Sequence, residues 1–453
     1  MERAGISNKG LAARVRAEAK RLGVAISPDH VSVRRWLDGT IPRDGTVRCI
    51  SAALSAKTGR RVSPAEIGFE SLGGPAAESA VLEDGVAFPG SSSTSVELLD
   101  QLTTADLADS PHVMTSGWVP AAAPGVITGY LFAGPGWSEA DSAVQALPVA
   151  DLATRIRATV RSLTDLDFQF GGGHVRRMIL HYWKSEIVPA LRTDHPGRLR
   201  RELFSAAADA AEVLGWSAYD AGRHGAAQRY FVQGLRLAKE ADDPVMGGQI
   251  LSNLSHQANY LGKFTEALHY ARAAQSATIG TSTSTVDSMF LAMEARALAS
   301  LGDRHGCLQV ISKAERAFER RSPTSDPDWI GYFDEFELAG EAAHCFRDLG
   351  QVHETLAFSG QAIDPIHTPA RTRSFITMVS AAGSLRAGNL EEAIHLASES
   401  IRLAGNLKSD RYVRYLSDFH ESLTGTHVSS SSVSEFTDLL RAVRSAAVQS
   451  GAA

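Results

Sequence analysis

The stretch that decides the fold lies between residues 214 and 238. It reads Leu-Gly-Trp-Ser-Ala-Tyr-Asp-Ala-Gly over residues 214–222 and continues through Ala227, Tyr230 and Leu237. Small and apolar residues recur at helical spacing on both sides of Gly222, and glycine readily ends a helix and lets the chain reverse. The stretch therefore predicts two antiparallel helices joined at Gly222, which form a helical hairpin.

The same pattern returns four times farther along the chain. Its turn glycines are Gly222, Gly262, Gly302, Gly350 and Gly388, each followed five positions later by a small residue, at spacings of 40, 40, 48 and 38. These units resemble tetratricopeptide repeats whose helices are lengthened by about a turn. One hairpin cannot bury its apolar face alone, so five in series predict a stacked all-α solenoid with a concave inner surface. The alternative is an ordinary helical bundle.

Composition and the cysteines narrow the class of protein. The 453 residues are 44% hydrophobic and 21% charged, which is typical of a globular protein of two or three domains. No apolar run is long enough to cross a bilayer, and the first residues lack the apolar core of a signal peptide, so we expect a cytoplasmic protein with no membrane contact. Cys49, Cys307 and Cys345 sit in apolar helical patterns and are expected to be buried thiols.

Charge is distributed unevenly along the chain. Residues 1–64 hold thirteen Lys and Arg against five Asp and Glu, a net charge of +8, so the remainder carries −14 of the total of −6. A basic head on an acidic body indicates that the head contacts a polyanion.

The basic head, residues 1–70, has the pattern of a small helical domain. Ser7 is a good N-cap for a first helix, and a second helix starts near Asp29. The run Val33-Arg34-Arg35-Trp36-Leu37-Asp38-Gly39-x-x-Pro42 resembles the recognition helix of lambda-repressor-like (Xre-type) helix-turn-helix domains. In such domains this helix enters the major groove. The resemblance implies the following DNA-binding residues: Ser32, Arg34 and Arg35 near bases, and Arg43 and Lys9 on phosphates. The alternative is a basic helical domain used for protein contacts.

The rest of the chain divides by composition. Residues 71–100 are rich in Gly, Ser and Pro and predict a flexible linker. Residues 101–148 form an irregular intermediate segment, which either packs on the solenoid or stays mobile. The tetratricopeptide-like solenoid spans 149–424 and begins with a degenerate hairpin. Residues 425–453 are a Ser-rich spacer and a C-terminal helix.

The first helix of each hairpin is expected to line the inner groove of the solenoid. Its polar and aromatic side chains predict a groove that binds a peptide or protein, because amides bond to an extended backbone and arginines to acidic groups. The candidates are Trp216, Gln249, Asn253, His256, Asn259, Tyr260, Arg296 and Arg347. A solvated polar face that binds nothing in particular is the alternative for any one of them.

Catalytic chemistry finds no support in the sequence. The fifteen histidines are scattered without metal-ligand spacing, and the triple glycine at 171–173 lacks the residues that complete a phosphate loop. We therefore expect no enzyme activity, no cofactor and no metal.

The strings at 215–222 and 227–231 also resemble a group of actinobacterial regulators, the NsdA-like proteins. These combine an Xre-type head, a linker and a tetratricopeptide body. The resemblance implies a transcriptional regulator, such as a repressor of development or secondary metabolism. Its partners would be double-stranded DNA and a peptide or protein, and homodimerisation would let two heads read a longer site. The competing hypothesis is an adaptor that does not bind DNA and acts through protein contacts.

Overall fold

The computed structural model of the chain describes residues 6–21, 26–38, 40, 42, 44–58, 62, 67, 81–134, 150–170, 172–364, 366, 368–405, 407, 409–426 and 431–451. Its contacts divide the chain into two compact units, Met1–Val81 and Leu82–Ala453. Across the described residues the regular structure is helical and no strand occurs. None of the described helices is both long and apolar enough to span a membrane.

The first unit contains three described helices, α1 (Asn8–Arg21), α2 (His30–Leu37) and α3 (Asp44–Thr58). The apolar stripe predicted for α1 is buried: Leu11 and Val15 are at most 3% exposed. They share one core with Val33 of α2 and with Ile50 and Leu54 of α3. Burying these side chains is the main stabilisation of so small a unit, at roughly 1.5–3 kcal/mol for each large one.

The second unit is built from consecutive helix pairs, as the repeat pattern predicted. The pairs are α10 (Gly197–Asp220) with α11 (His224–Glu240), α12 (Pro244–Tyr260) with α13 (Phe264–Ala277), α14 (Ser284–Ser300) with α15 (Arg304–Glu319), α16 (Glu335–Asp348) with α17 (Val352–Gln361), and α18 (Ala370–Arg386) with α19 (Leu390–Ala404). The packing is solenoid-like, so the all-α, tetratricopeptide-like fold is confirmed. We refer to these pairs as hairpins one to five.

The turn glycines account for the hairpin geometry. All five predicted glycines have positive φ, between +70° at Gly350 and +82° at Gly388. Each turn has the same hydrogen-bond pattern. In hairpin one, Arg223 N donates to Ala218 O at 2.9 Å and Gly222 N donates to Tyr219 O at 3.0 Å. This pattern closes a helix C-terminus around a left-handed residue, a conformation that glycine adopts without a steric cost.

A sixth hairpin follows the five hairpins that the turn glycines predict. It pairs α20 (Asp410–Thr426) with α21 (Ser431–Gly451), and residues 427–430 lie outside the described part. Phe436 and Leu440 of α21 are buried in the same core as Leu416 and Phe419 of α20. The C-terminal helix expected within 425–453 therefore packs as part of the repeat array.

The degenerate first hairpin expected ahead of the array is also helical. It consists of α7 (Ala150–Phe170), α8 (Gly172–Tyr182) and a π-helical turn from Trp183 to Ile187 that leads into the short helix α9 (Val188–Leu191). Pro189 lies just after the turn and has no N–H, which removes one helical hydrogen bond where the register changes.

Residues 82–134 form a strap that packs on hairpin one. It contains α4 (Ser92–Leu107), α5 (Pro111–Met114) and α6 (Ala123–Phe132). The flexible linker expected over 71–100 is corrected for its second half, because Ser95 and Leu99 of α4 are fully buried. Residues 71–80 and 135–149 lie outside the described residues, and the part of the expected irregular segment from 101 to 134 packs on the repeats.

Polar side chains of α11 hold the strap. The Gln228 side-chain amide accepts a hydrogen bond from Val119 N at 2.8 Å and donates one to Val119 O at 2.9 Å. It thus pairs with both backbone groups of Val119, as the backbone of a neighbouring β-strand does. Gln233 Nε2 donates to Gly85 O at 2.8 Å. Buried Asp106 of α4 receives Arg223 Nη1 at 2.9 Å and the Tyr230 hydroxyl at 3.0 Å. Because α11 is covered by the strap on one side and by its own pair on the other, nearly all of its residues are buried.

Candidate functional site

The exposed face of α2 is the candidate nucleic-acid interface. Val33 is buried against the core of the first unit, and Trp36 packs on the same core. Arg34 and Arg35 are exposed and lie in the last turn of the helix. Their guanidinium groups, with five donors each, are suited to phosphate oxygens and to guanine edges.

The start of α2 is fixed by a capping box. Ser32 N donates to Asp29 Oδ1 at 2.8 Å, and the Ser32 hydroxyl donates to the same oxygen at 2.9 Å. These hydrogen bonds, backbone first, lower the pKa of Asp29. Arg16 Nη1 also donates to Pro28 O at 2.5 Å, which ties α1 to the approach of α2. The hydroxyl of Ser32, predicted to lie near a base, is thus part of the cap at the start of its own helix.

The two predicted phosphate contacts have different outcomes. Lys9 is exposed near the start of α1, so its ammonium group is accessible. Arg43 lies outside the described residues. The structure therefore places Arg34, Arg35 and Lys9 at the surface of the first unit and half-buries Ser32.

Aligning the hairpins on their turn glycines shows a row of side chains in the second unit. Trp216, His256, Arg296 and His344 each precede the turn glycine of their hairpin by six residues. We call them the inner row. They face a common interior, because residues of α20 contact two of them: Arg411 lies over the Trp216 ring and Tyr415 lies edge-on to His344.

The interior is closed at hairpin one by the chain itself. The Arg411 guanidinium lies 5.2 Å from the Trp216 ring centre, 5.3 Å from that of Tyr219 and 4.8 Å from that of Phe375. Such cation–aromatic contacts are worth about 0.5–2 kcal/mol each. Trp216 and Tyr219 are also in edge-to-face contact at 5.5 Å. Trp216, predicted to offer contact area to a ligand, thus already packs against Arg411.

A buried carboxylate fixes this closure. Asp220, at the end of α10, is fully buried. Its Oδ1 accepts a hydrogen bond from the Ser409 hydroxyl at 2.9 Å and another from Arg411 Nε at 3.2 Å, and it forms an ion pair with Arg371 Nη2 at 2.8 Å. The two guanidinium groups compensate the charge of this carboxylate, which a buried ion pair needs if it is not to destabilise the fold. Hairpins one, five and six are therefore joined around Asp220.

In the middle of the interior the one charge of the inner row, on Arg296, is compensated by a neighbouring carboxylate. Arg296 Nη1 pairs with Glu341 at 3.1 Å, and both side chains are about 90% buried. Burial lowers the pKa of His256 and of His344 well below the usual range, and the nearby Arg296 adds to both effects. The two imidazoles are therefore uncharged at neutral pH. His256 Nδ1 lies 3.0 Å from the Tyr219 hydroxyl.

The two arginines expected to receive an acidic group both have carboxylate partners. Arg296 is paired with Glu341, and Arg347 with Asp348 at 2.7 Å. The Arg347 guanidinium also lies 5.8 Å from the Tyr415 ring centre. Their predicted role of binding a free carboxylate stays a prediction, and such a ligand would have to compete with Glu341 and Asp348.

The predicted amides lie on α12 but are less exposed than expected. Gln249 is 7% exposed, and Asn253 and Asn259 are 9% exposed. Asn253 Nδ2 donates to Glu212 Oε1. Tyr260 is half-buried, and the Arg414 guanidinium covers its ring at 4.8 Å. The structure thus brings the α12 candidates to one face, where they are largely enclosed.

Several buried polar atoms of this interior have no hydrogen-bond partner among the residues that the structure describes. They are Gln249 Oε1, Asn259 Oδ1, Arg296 Nε and His344 Nδ1. An unsatisfied buried polar group costs about 1–3 kcal/mol, so these atoms are candidates for hydrogen bonds with a bound partner. The oxygens of Gln249 and Asn259 are hydrogen-bond acceptors, and Arg296 Nε is a donor.

Glu337 is an interior residue that the sequence reasoning missed. Burial, reinforced by Glu341 and Asp334, raises the pKa of Glu337 to about 8. The side chain precedes its turn glycine by thirteen residues, as Gln249 does in hairpin two. Aligning the hairpins on their turn glycines would have identified Glu337, because it puts this glutamate on the face predicted to line the groove.

Among the described residues no group of three or more His, Cys, Asp or Glu side chains is arranged to hold a metal ion. In comparisons with known proteins, a family model described as the SP15 N-terminal domain matches residues 1–70. No curated protein matches the chain. The matched segment lies within the first compact unit, so the similarity concerns that unit and not the repeats.

Proposed function

We propose that the chain is a DNA-binding transcriptional regulator whose repeat interior binds a peptide or protein. The observation that carries the first half is the exposure of Arg34 and Arg35 on α2 beside a buried Val33. The net charge of +8 over residues 1–64 supports it, because a basic head is attracted to the phosphate backbone at long range.

The geometry of α2 suits a short recognition helix. Its eight residues extend about 12 Å at 1.5 Å per residue, comparable to the width of a major groove. Because the Ser32 hydroxyl is bonded to Asp29, we assign base contacts to Arg34 and Arg35, with Lys9 on a phosphate. The similarity to Xre-type domains at residues 33–42 supports the same assignment.

Gel shifts of the full chain with genomic DNA fragments, repeated at several salt concentrations, test the first half of this proposal. We expect affinity to fall steeply with salt, with a log–log slope near −0.9 for each phosphate contacted. The double variant Arg34→Ala/Arg35→Ala should bind about 10-fold to 1,000-fold more weakly. Lys20→Ala/Lys57→Ala removes the same charge from α1 and α3 and should lose much less. Absence of binding even at low salt would favour the adaptor hypothesis.

The partner proposed for the repeats is a peptide main chain. Glu341 compensates the charge of Arg296, and the unpartnered atoms include acceptors on Gln249 and Asn259 and a donor on Arg296. A peptide backbone supplies the complementary N–H and C=O groups. Because Arg411 fills the end at hairpin one, we assign the partner to hairpins two to four.

Peptide display against the full chain tests this assignment. We expect selected peptides to lose about 5-fold to 20-fold in affinity for Gln249→Ala, since one hydrogen bond contributes about 1–2 kcal/mol. Gln309→Ala, an exposed glutamine on α15, is the control and should bind as the natural chain does. Equal binding by both variants would exclude Gln249 from the site.

The proposal also covers the oligomeric state of the chain and the sign of its regulation. A single head reads few base pairs, so we propose a homodimer on a two-fold site, which sedimentation in the presence of DNA would test. The similarity to NsdA-like regulators supports a non-catalytic, cytoplasmic repressor of development or secondary metabolism. Raised reporter expression after deletion of the gene would be the expected result, and lowered expression would indicate an activator.

A further inference from the structure

A cavity of about 140 Å³ lies between hairpins three and four. Residues of α14, α15, α16 and α17 line it, and most of its wall is apolar. The small side chains that leave this space open are Ala292, Ala295, Ala314, Ala339 and Ala342. An apolar cavity of about 150 Å³ can hold a molecule as large as benzene, so this one has room for a short alkyl chain.

Three glutamates also line the cavity, Glu315 of α15 and Glu335 and Glu341 of α16. Among the described residues that line it there is no Lys, Arg or His. Glu335 and Gln361 are exposed, whereas Glu341 is 8% exposed, so the cavity is open to solvent near Glu335 and more enclosed near Glu341. A complementary group is therefore apolar along its length and positively charged.

One of the three carboxylates has no cationic partner. Glu341 is paired with Arg296 at 3.1 Å, and Glu335 is paired with Arg321 at 3.4 Å. Glu315 is half-buried and forms no hydrogen bond or ion pair with any residue that the structure describes. A ligand with one positive charge would therefore balance the charges that surround the cavity.

The residues around Glu315 leave its charge uncompensated. Burial and the charge of Glu319 raise the pKa of Glu315, and the nearby Arg316 opposes them only in part. Arg316 is exposed, and adjacent residues of a helix point in different directions. An ammonium group inside the cavity would thus stabilise the ionised carboxyl of Glu315.

Glu341 connects the cavity to the interior of the repeats. Its Oε2 accepts a hydrogen bond at 3.1 Å from Nη1 of Arg296, a member of the inner row. Its Oε1 has no hydrogen-bond partner among the described residues, although the residue is more than nine-tenths buried. The cavity thus offers an unused acceptor at its enclosed end, beside the hairpins to which we assign the peptide partner.

We propose that this cavity binds a lysine side chain of the peptide partner, with its alkyl stem against the alanines and its ammonium group donating to the carboxylates of Glu315 and Glu341. Lysine fits better than arginine, because the two carboxylates come from different helices, whereas a guanidinium fork is matched to a single carboxylate. The inference rests on the proposed function that the repeats bind a peptide, and it adds the requirement for one side chain.

Selection from a random peptide library by the full chain tests this requirement. The selected sequences should share a lysine at one position. Synthetic copies of a selected peptide, acetylated at the N-terminus and amidated at the C-terminus, are then compared with copies that carry norleucine or arginine at that position. Norleucine keeps the stem without the charge, so we expect it to bind about 5-fold to 20-fold more weakly, and arginine should also bind more weakly than lysine.

A double-mutant cycle between peptide and chain locates the ammonium group. Glu315→Gln should weaken binding of the lysine peptide by about 5-fold to 20-fold and leave the norleucine peptide nearly unchanged. Glu319→Gln alters an exposed residue that does not line the cavity and should change neither. Ala339→Leu fills the cavity and should weaken the lysine peptide at least several-fold, whereas Ala357→Leu, at an exposed position of α17, should not. Circular dichroism checks that each variant keeps its fold.

The outcomes separate this inference from the proposed function. The inference is overturned if the selected peptides share no lysine, if norleucine binds as well as lysine, or if Glu315→Gln weakens both peptides equally. If such peptides still lose affinity for Gln249→Ala, the proposed function stands without this pocket. A chain that selects no peptide would overturn both.

Discussion

The half-buried carboxyl of Glu337 makes the stability of the repeats depend on pH. Burial and the like charges of Glu341 and Asp334 raise the pKa of Glu337 from 4.5 to about 8, against the opposing attraction of Arg296 and Arg411. Between these two values the folded chain holds a proton that the unfolded chain has released. The contribution of Glu337 to stability therefore falls as pH rises from about 4.5 to about 8.

Replacing Glu337 by glutamine removes this dependence, because a neutral amide mimics the protonated carboxyl. The full pKa difference corresponds to about 5 kcal/mol above pH 8, at 1.36 kcal/mol for each pH unit. The side chain is only half-buried, so water screens part of the effect and we expect Glu337→Gln to stabilise the repeats by about 1–3 kcal/mol at about pH 8. Near pH 5 the variant and the natural chain should be almost equally stable.

Urea unfolding followed by far-ultraviolet circular dichroism, at several values between about pH 5 and about pH 9, measures this difference. Glu335→Gln is the matched control, since Glu335 lies in the same first turn of α16 but is exposed. It should show no gain that grows with pH. A Glu337→Gln midpoint that stays equal to or below the natural one at high pH would refute the reasoning.

Three further predictions concern the architecture. Gly302→Ala should destabilise the repeats by about 1 kcal/mol, because the φ of Gly302 is +78°. Gly360→Ala is the control: Gly360 lies within a helix with open space around it, so the change should be neutral or stabilising. Thermal melting compares the two variants. Arg411→Ala should lower the free energy of unfolding by about 3–5 kcal/mol, because it leaves the buried Asp220 carboxylate short of a partner. Arg414 is more exposed, so Arg414→Ala should lower it by less than about 1 kcal/mol. Urea titrations measure both changes. Gln228→Ala should detach part of the strap, seen as faster amide hydrogen exchange over residues 116–122; unchanged exchange would contradict this.

The repeat architecture was predictable because its signals are local. Each turn glycine sits within a few residues of the helix that it ends, and small residues mark where paired helices cross. The stripe of Leu11 and Val15 and the outward Arg34 and Arg35 follow from the same helical spacing, and the structure agrees on their burial and exposure.

What the sequence did not show depends on contacts between distant residues. The Ser-rich run before α4 has the composition of a linker, yet Ser91 caps that helix and the Ser95 hydroxyl donates to Gln233 O across 138 positions. The closure of the interior joins Asp220 to Arg411, and no local periodicity reports such a pairing. Five of the groove candidates share one face of α12, but how far that face is enclosed depends on hairpin six.

Selection of duplexes from a random DNA pool by the full chain tests the central claim most directly. We expect one enriched motif, arranged as two half-sites if the chain dimerises, and loss of that enrichment for Arg34→Ala/Arg35→Ala with retained helical content. Recovery of a pool without any enriched motif, or the same motif from the double variant, would contradict the assignment of α2 as the element that reads DNA.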